Sequence, residues 1–257
     1  MDLENRIVLI TGASSGIGAA CARAFAGAGA RLILVARRGR KLDALAGELT
    51  RDLGAVVLTS VLDVRELVAV RRWVRELPEA WNAISILVNN AGLARGIAPI
   101  HEGEFADWDE MVDTNLKGLL YVTRAVLPGM VARGSGHVIN IGSIAGREVY
   151  PGGNVYCATK HAVNGLSRAM GIDLLGTGVR VSSVDPGMVE TEFSIVRFHG
   201  DERRAAHVYD GFEPLHPADV AEAVLFCATR PPHANVREMV LMPTAQASAV
   251  HVVRNQA

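Results

Sequence analysis

Along the 257 residues, short apolar runs alternate with stretches whose apolar residues recur every three or four positions. The runs predict β-strands at 6–11 (RIVLIT), 31–36 (RLILVA), 55–60 (AVVLTS), 84–88 (ISILV), 136–142 (GHVINIG), 178–184 (GVRVSSV) and 236–242 (VREMVLM). The stretches between them predict helices near 16–28, 39–52, 65–76, 105–132, 153–176 and 217–229. The central runs are apolar on both sides of the pleat, as in strands covered on both faces. Strand–helix alternation implies right-handed crossovers and an α/β fold: a doubly wound parallel sheet of about seven strands flanked by helices. No repeat, low-complexity segment or linker divides the chain, so residues 1–257 are expected to form one domain. The stretch 188–215 breaks the alternation. It is polar, carries RFHGDERRAAH and ends in EPLHP, and predicts a long insertion over the sheet edge that could serve as a lid.

Composition narrows the class. A hydrophobic content of 49% supplies a large core and excludes disorder. A net charge of −1 offers no general attraction to nucleic acid or to an acidic membrane. No apolar run approaches the ~18 residues of a membrane span. MDLENRIVLI has neither the basic start nor the cleavage site of a signal peptide, so a cytoplasmic location is expected. Cys21, Cys157 and Cys227 are widely spaced and form no C-x-x-C pair, so neither a disulfide framework nor a metal site is expected. Cys157 reads as a small packing residue. Of the 26 basic residues only three are lysine, at 41, 117 and 160, which raises the question of what each does that arginine would not.

TGASSGIG (11–18) follows the first predicted strand and opens a helix, the context that makes a glycine motif informative. Gly12 permits a tight turn, Gly16 lets backbone approach a pyrophosphate, and Gly18 lets helix and strand pack closely. Helix N-terminal amides then face the phosphates, and the Ser14 and Ser15 hydroxyls can donate to them. Such a loop expects an acid about 20 residues on, to bind a ribose hydroxyl. Here the second strand ends at Ala36, followed by Arg37, Arg38, Arg40 and Lys41.

YCATK (156–160) begins another helix and places Tyr156 and Lys160 on one face, one turn apart. A free tyrosine titrates near pH 10; a neighbouring ammonium favours the phenolate and is expected to lower that value. Ser143 ends one predicted strand, NNAG (89–92) another and DPG (185–187) a third. In an open parallel sheet these ends converge on one crevice, where ligands bind. Asn115 lies inside a long predicted helix although asparagine is a mediocre helix former, which suggests a kink there.

Taken together, TGASSGIG, DV (63–64), NNAG, Asn115, Ser143, YCATK and DPGMVET (185–191) resemble the short-chain dehydrogenase/reductase family, in its order and over nearly the whole chain. The resemblance implies the following. Tyr156 is the acid in carbonyl reduction and the base in alcohol oxidation. Ser143 donates to the substrate oxygen, Lys160 holds the nicotinamide ribose and tunes Tyr156, and Asn115 anchors a water that relays protons to Lys160. Gly12, Ser14, Ser15, Gly16, Ile17 and Gly18 form the cofactor loop. Asp63 and Val64 flank the adenine, and Asn90, Ala91 and Gly92 line the adenosine and ribose path. Pro186, Gly187, Val189 and Thr191 hold the carboxamide end. Family members that prefer NAD carry an acid where this chain has Ala36. Its loss, with Arg37 and Arg38 beside it, implies NADP, through a charge-assisted site for the 2′-phosphate. Arg40 and Lys41 are read as solvated.

TEFSIVRFHGD (191–201) and NVREMVLMPTAQ (235–246) further resemble the NADP-dependent 3-hydroxy acid dehydrogenases, whose substrates include serine and allo-threonine. A substrate of that kind needs a cation for its carboxylate, with Arg197, Arg147 and Arg95 as candidates. A reductase of larger ketones, aldehydes or secondary alcohols is the alternative enzyme. A non-catalytic NADP(H)-binding regulator would be expected to have lost catalytic positions that are filled here. The family also implies a homotetramer built through helices 105–132 and 153–176 and the last strand.

Overall fold

The computed structural model describes residues 2–255. Seven strands, β1 (Ile7–Thr11), β2 (Arg31–Ala36), β3 (Val57–Val61), β4 (Ile84–Asn89), β5 (Gly136–Ile141), β6 (Val179–Pro186) and β7 (Glu238–Leu241), pair in parallel as β3-β2-β1-β4-β5-β6-β7. The helices are α1 (Gly16–Gly27), α2 (Gly39–Leu53), α3 (Leu67–Arg75), α4 (Phe105–Val112), α5 (Leu119–Ala132), α6 (Asn154–Asp173), α7 (Phe193–Arg197), α8 (Glu202–Ala206) and α9 (Pro217–Thr229).

The period of two along each strand divides the core into two layers. Val8, Ile10, Leu32, Leu34, Ile86 and Val88 pack with Phe25 of α1, Leu42 and Leu49 of α2, and Val220 and Val224 of α9. Leu9, Ile33, Val35 and Leu87 point the other way, onto Val70 of α3 and Val122, Val126 and Met130 of α5. Burying each such side chain contributes about 1.5–3 kcal/mol, so these two layers hold the sheet edge that carries the site.

The winding reverses between β1 and β4. From β1 the chain builds outward to β2 and β3, then returns to add β4 through β7 on the other side. This switch point opens a crevice beyond the strand C-termini, at the ends of β1 and β4.

Most elements lie within two residues of their expected bounds; three differences have physical causes. The strand expected at 178–184 runs on to Pro186 because Ser183–Pro186 pair with Glu238–Leu241 of β7. The helix expected at 105–132 is interrupted by a π-helical segment, Asp113–Gly118, which contains Asn115. The insertion 188–215 is not an extended excursion. It folds into α7, α8 and a turn at His207–Tyr209, and Val189 pairs with Leu215 at its base.

Candidate active site

A cavity of about 760 Å³ occupies the crevice. At one end lies the glycine loop after β1. Gly12 has φ +65°, and a Cβ there would stand 2.8 Å from Ala91 Cα. Asn90 Nδ2 donates to the Thr11 and Gly12 carbonyls at 2.9 and 3.2 Å, while Thr11 Oγ1 accepts from the amides of Asn90 and Ala91. The loops after β1 and β4 are thus one hydrogen-bonded unit. Gly18 serves that unit: a Cβ there would lie 2.5 Å from Gly12 O, so the close packing is against the loop and not the expected strand. Gly12, Ser14, Ser15, Gly16 and Ile17 line the cavity; Gly18 does not. The α1 N-terminus has no side-chain cap and no acid in its first turn, which leaves its amides to an anionic ligand.

Both arginines after β2 line this end. Arg38 donates to Ser14 Oγ at 2.9 and 3.1 Å and to Ser15 Oγ at 2.5 Å. Its third arm reaches Glu192 Oε2 at 2.7 Å. Lys41, read from the sequence as solvated, is half exposed and also bonds Glu192 Oε1 at 2.5 Å. Lys41 and Arg38 together hold Glu192 down at about 2. Arg37 is half exposed, with its guanidinium 3.6 Å from Glu110 and 3.9 Å from Asp63. Asp63 accepts from Arg65 at 2.6 Å, and Asp63 and Val64 line the wall beside Asn90, Ala91 and Gly92.

Ser143, Tyr156 and Lys160 stand together farther along the cavity. Ser143 Oγ accepts the Ala145 amide at 3.0 Å, which leaves its own proton free to donate. Burial pushes the Tyr156 phenol above its ordinary value, Tyr150 adds to the rise, and Ser143 and Arg197 oppose it. The lowering expected from Lys160 is not seen. Its Nζ stands 5.9 Å from the Tyr156 ring, and Lys160 is itself drawn down to about 8 by burial, against an opposing pull from Asp185. Lys160 Nζ donates to Ile141 O at 2.9 Å. Asn115 lies behind the wall. Its Oδ1 accepts the Leu93 amide at 2.8 Å, and its Nδ2 donates to Leu93 O at 2.8 Å and Thr159 Oγ1 at 3.1 Å. Pro186, Gly187, Val189 and Thr191 line the strand end opposite, where the buried Gln246 accepts the Met188 amide at 2.8 Å.

The three candidate carboxylate anchors separate cleanly. Arg147 points away from the cavity: Nε bonds Asp185 at 2.7 Å and a terminal nitrogen bonds Glu238 at 2.6 Å, so its charge is spent there. The expectation that it meets substrate is corrected on that ground. Arg95 lines the cavity but is held by Glu110 at 2.7 Å and by Val196 O at 2.7 Å. Arg197, on α7, donates to the Tyr150 hydroxyl and lies 5.6 Å from the Tyr156 ring. Among the described residues it forms no ion pair. Tyr150, Phe193, Glu192 and Gln246 were not singled out from the sequence. Tyr150 had one signal, its place in the YPGG turn just before YCATK; Glu192 and Gln246 act over long chain separations and had none.

Among the described residues no cluster of three or more His, Cys, Asp or Glu is placed to hold a metal, and no helix is long and apolar enough to cross a membrane. All three cysteines are free and buried.

A doubly wound sheet with a glycine loop, Asn90 lashed to it, and Ser143, Tyr156 and Lys160 at the strand ends defines a dehydrogenase crevice. The chain belongs to the short chain dehydrogenase family, whose model matches residues 6–201. It is 49% identical over 244 residues to an NADP-dependent 3-hydroxy acid dehydrogenase, YdfG, of Salmonella typhi, covering 95% of this chain and 97% of that protein. It is 48% identical over 248 residues to sulfoacetaldehyde reductase 2 of Chromohalobacter salexigens, covering 96% and 98%. The closed form of a serine dehydrogenase complexed with NADP+ superposes with a TM-score of 0.90 at 47% identity, covering 97% of this chain and 100% of that one.

Proposed function

We propose that the protein is an NADP-dependent oxidoreductase that interconverts a hydroxyl and a carbonyl on a small 3-hydroxy acid such as serine, allo-threonine or 3-hydroxypropionate. The observation that carries this reading is Arg197, a cavity-lining cation with no carboxylate partner among the described residues, 5.6 Å from the Tyr156 ring. A carboxylate held by Arg197 would lie on the same side of the cavity as the Tyr156 ring, with the reacting carbon of a 3-hydroxy acid two bonds away. Sulfoacetaldehyde and a 3-hydroxy acid share that pattern, an anion close to the reacting carbon, which favours this substrate class over larger ketones.

Ser14, Ser15, Arg37, Arg38 and the uncapped α1 N-terminus suit a phosphorylated dinucleotide, with the phosphate end at the arginines. Asp63, Val64, Asn90, Ala91 and Gly92 would line its adenosine half, and Lys160, Pro186, Gly187, Val189 and Thr191 its nicotinamide half. When bound, the nicotinamide supplies or accepts the hydride.

The chain's own groups manage the proton. Buried and raised, the Tyr156 phenol is protonated at neutral pH and can donate to a carbonyl oxygen as it gains charge. Ser143, its acceptor already used by Ala145, donates to the same oxygen and stabilises that charge. In oxidation Tyr156 must release its proton, and Lys160 and Arg197 are the two cations beside its ring. Asn115 fixes Leu93 and Thr159, and with them the wall facing Lys160; the water relay implied by the family remains part of this proposal. α7 closes over the substrate, tied to the β4–α4 loop by Gly96 N to Arg197 O at 2.8 Å.

We place this enzyme in the cytoplasm as a homotetramer. Leu120, Val131, Ile172, Val240 and Val253 leave apolar surface on the helices and terminal segment that would meet; light scattering tests the assembly. The function is tested by a panel at 340 nm, with NADP and NAD, in both directions. Serine and 3-hydroxypropionate should be oxidised with NADP preferred, and turnover of bulky neutral ketones alone would move the protein to the other class.

A further inference from the structure

Asp185, near the end of β6, is fully buried. A buried carboxylate persists only with partners that replace water. Its Oδ1 accepts the Ser183 hydroxyl at 2.5 Å, and its Oδ2 accepts Arg147 Nε at 2.7 Å. Its remaining side is filled by backbone. A Cβ on Gly142 would lie 1.9 Å from Asp185 Oδ1, so only glycine lets the chain pass there.

Gly142 is the link between two functional positions. The preceding carbonyl, Ile141 O, is the acceptor that fixes Lys160 Nζ. The following residue is Ser143. The Gly142 amide donates to Val184 O at 2.8 Å, and Asn164 Nδ2 holds Gly146 O at 3.1 Å, closing the turn. The Asp185 carboxylate is thus wedged under the span that carries both the Lys160 acceptor and the Ser143 hydroxyl.

The charges around it form a short chain. Arg147 sits on Asp185 and on Glu238, and Glu238 also takes Arg168. On the cavity side Lys160 faces the Tyr156 ring, with Arg197 and Tyr150 beyond. Among these groups Asp185 is the one negative charge acting on Lys160, against the effect of burial.

We propose that Asp185 is a positioning residue of the reaction, the fixed negative charge against which Lys160 and the Ser143 turn are set. This rests on the assignment of Lys160 and Tyr156 given above. Arg147, excluded from the substrate pocket, then acquires a role: it shares the Asp185 charge and so limits how much of it Lys160 receives.

The three lysines of the chain make the test direct. Carbon-13 labelling of lysine, followed by NMR through a pH titration of the protein without ligand, gives three signals, assigned by substituting each lysine. The Lys160 signal should titrate near 8. In Asp185→Asn it should move down by about one unit, and in Arg147→Gln it should move up, because a nearby cation is gone. The alkaline limb of the NADPH-dependent reduction rate should follow the same two displacements, with kcat changing more than KM. Asp185→Glu should restore the limb toward the parent position. If Asp185→Asn fails to fold, Arg147→Gln decides by itself. A Lys160 titration unchanged in the folded variants, or one that moves while the rate limb stays, overturns the proposal. A parent protein that turns over no carbonyl compound condemns the functional reading instead, which the NMR arm separates from the Asp185–Lys160 coupling.

Discussion

The Arg197 guanidinium lies 5.6 Å from the ring centroid of Tyr156 and donates to the hydroxyl of Tyr150. It also donates to Gly96 O at 3.3 Å, and among the described residues it has no ion-pair partner, so α7 brings an unneutralised charge to the substrate side of Tyr156. Arg197→Ala should therefore raise KM for carboxylate substrates by about ten- to a hundredfold, the range for a charge-assisted hydrogen bond. KM for neutral ketones should not change. Michaelis constants for matched acid and neutral substrates check this, and an equal loss for both would remove Arg197 as the anchor.

Arg38 is fixed by Ser14 and Ser15 hydroxyls on one side of the cavity end, and Arg37 stands half exposed beside it. The double substitution Arg37→Ala with Arg38→Ala should weaken NADPH by about a hundredfold, from the loss of charge-assisted bonds to a 2′-phosphate. NADH, which lacks that phosphate, should change little. Fluorescence titration with each cofactor measures both; parallel losses would mean the arginines do not read the phosphate.

Glu192 occupies Arg38 and Lys41 at once, at 2.7 and 2.5 Å. All three side chains are more than a third exposed, so the pair energies are those of surface ion pairs. Glu192→Gln should free both cations and tighten NADPH by about two- to fivefold, leaving NADH unchanged. The sign with pH follows from the depressed carboxylate. The ion pairs are intact above its unfolded value and are lost as pH falls toward about 2, so the difference between parent and variant should be constant from pH 6 to 8. Isothermal titration gives the ratio; weaker NADPH binding would show that Glu192 assists the cofactor.

Lys160 is buried with its value lowered from 10.5 to about 8. Its charge therefore costs folding free energy wherever the native protein is forced to keep the proton. Below pH 8 the cost is full, and it fades as the pH rises from 8 to 10.5, where the native lysine is already neutral. Lys160→Met should thus be more stable than the parent at pH 7, by up to about 3 kcal/mol before the lost bond to Ile141 O is subtracted. That advantage should shrink between pH 8 and 10.5, while turnover is lost at every pH. Denaturant midpoints for both proteins across this range test it, and a variant less stable at pH 7 would contradict it.

How much of this was legible in the sequence depends on the range over which each feature is decided. The central strands were visible because they are runs such as Leu32–Val35, apolar on both faces. The glycine loop was visible because its chemistry is local, and Asn115 advertised the π-helical break by being a poor helix residue. Chain spacing could not say which way Arg147 points: Asp185 is 38 residues away and Glu238 is 91 away. Glu192 and Lys41 meet across 151 residues, which no periodicity encodes. The environment of Tyr156 is likewise set by residues distant in the chain. One turn of helix brings Lys160 no nearer than 5.9 Å from the ring, while burial raises the phenol and Tyr150 adds to the rise.

In the proposed reaction Tyr156 exchanges a proton with a small anionic hydroxy compound while the dinucleotide is held elsewhere. The most direct measurement compares parent and Tyr156→Phe for NADP reduction at 340 nm with 3-hydroxypropionate, alongside NADPH affinity by fluorescence. The variant should lose most of its turnover and keep its cofactor affinity within about threefold, since the phenol acts on substrate and not on the phosphates. A variant that turns over at near the parent rate would contradict it.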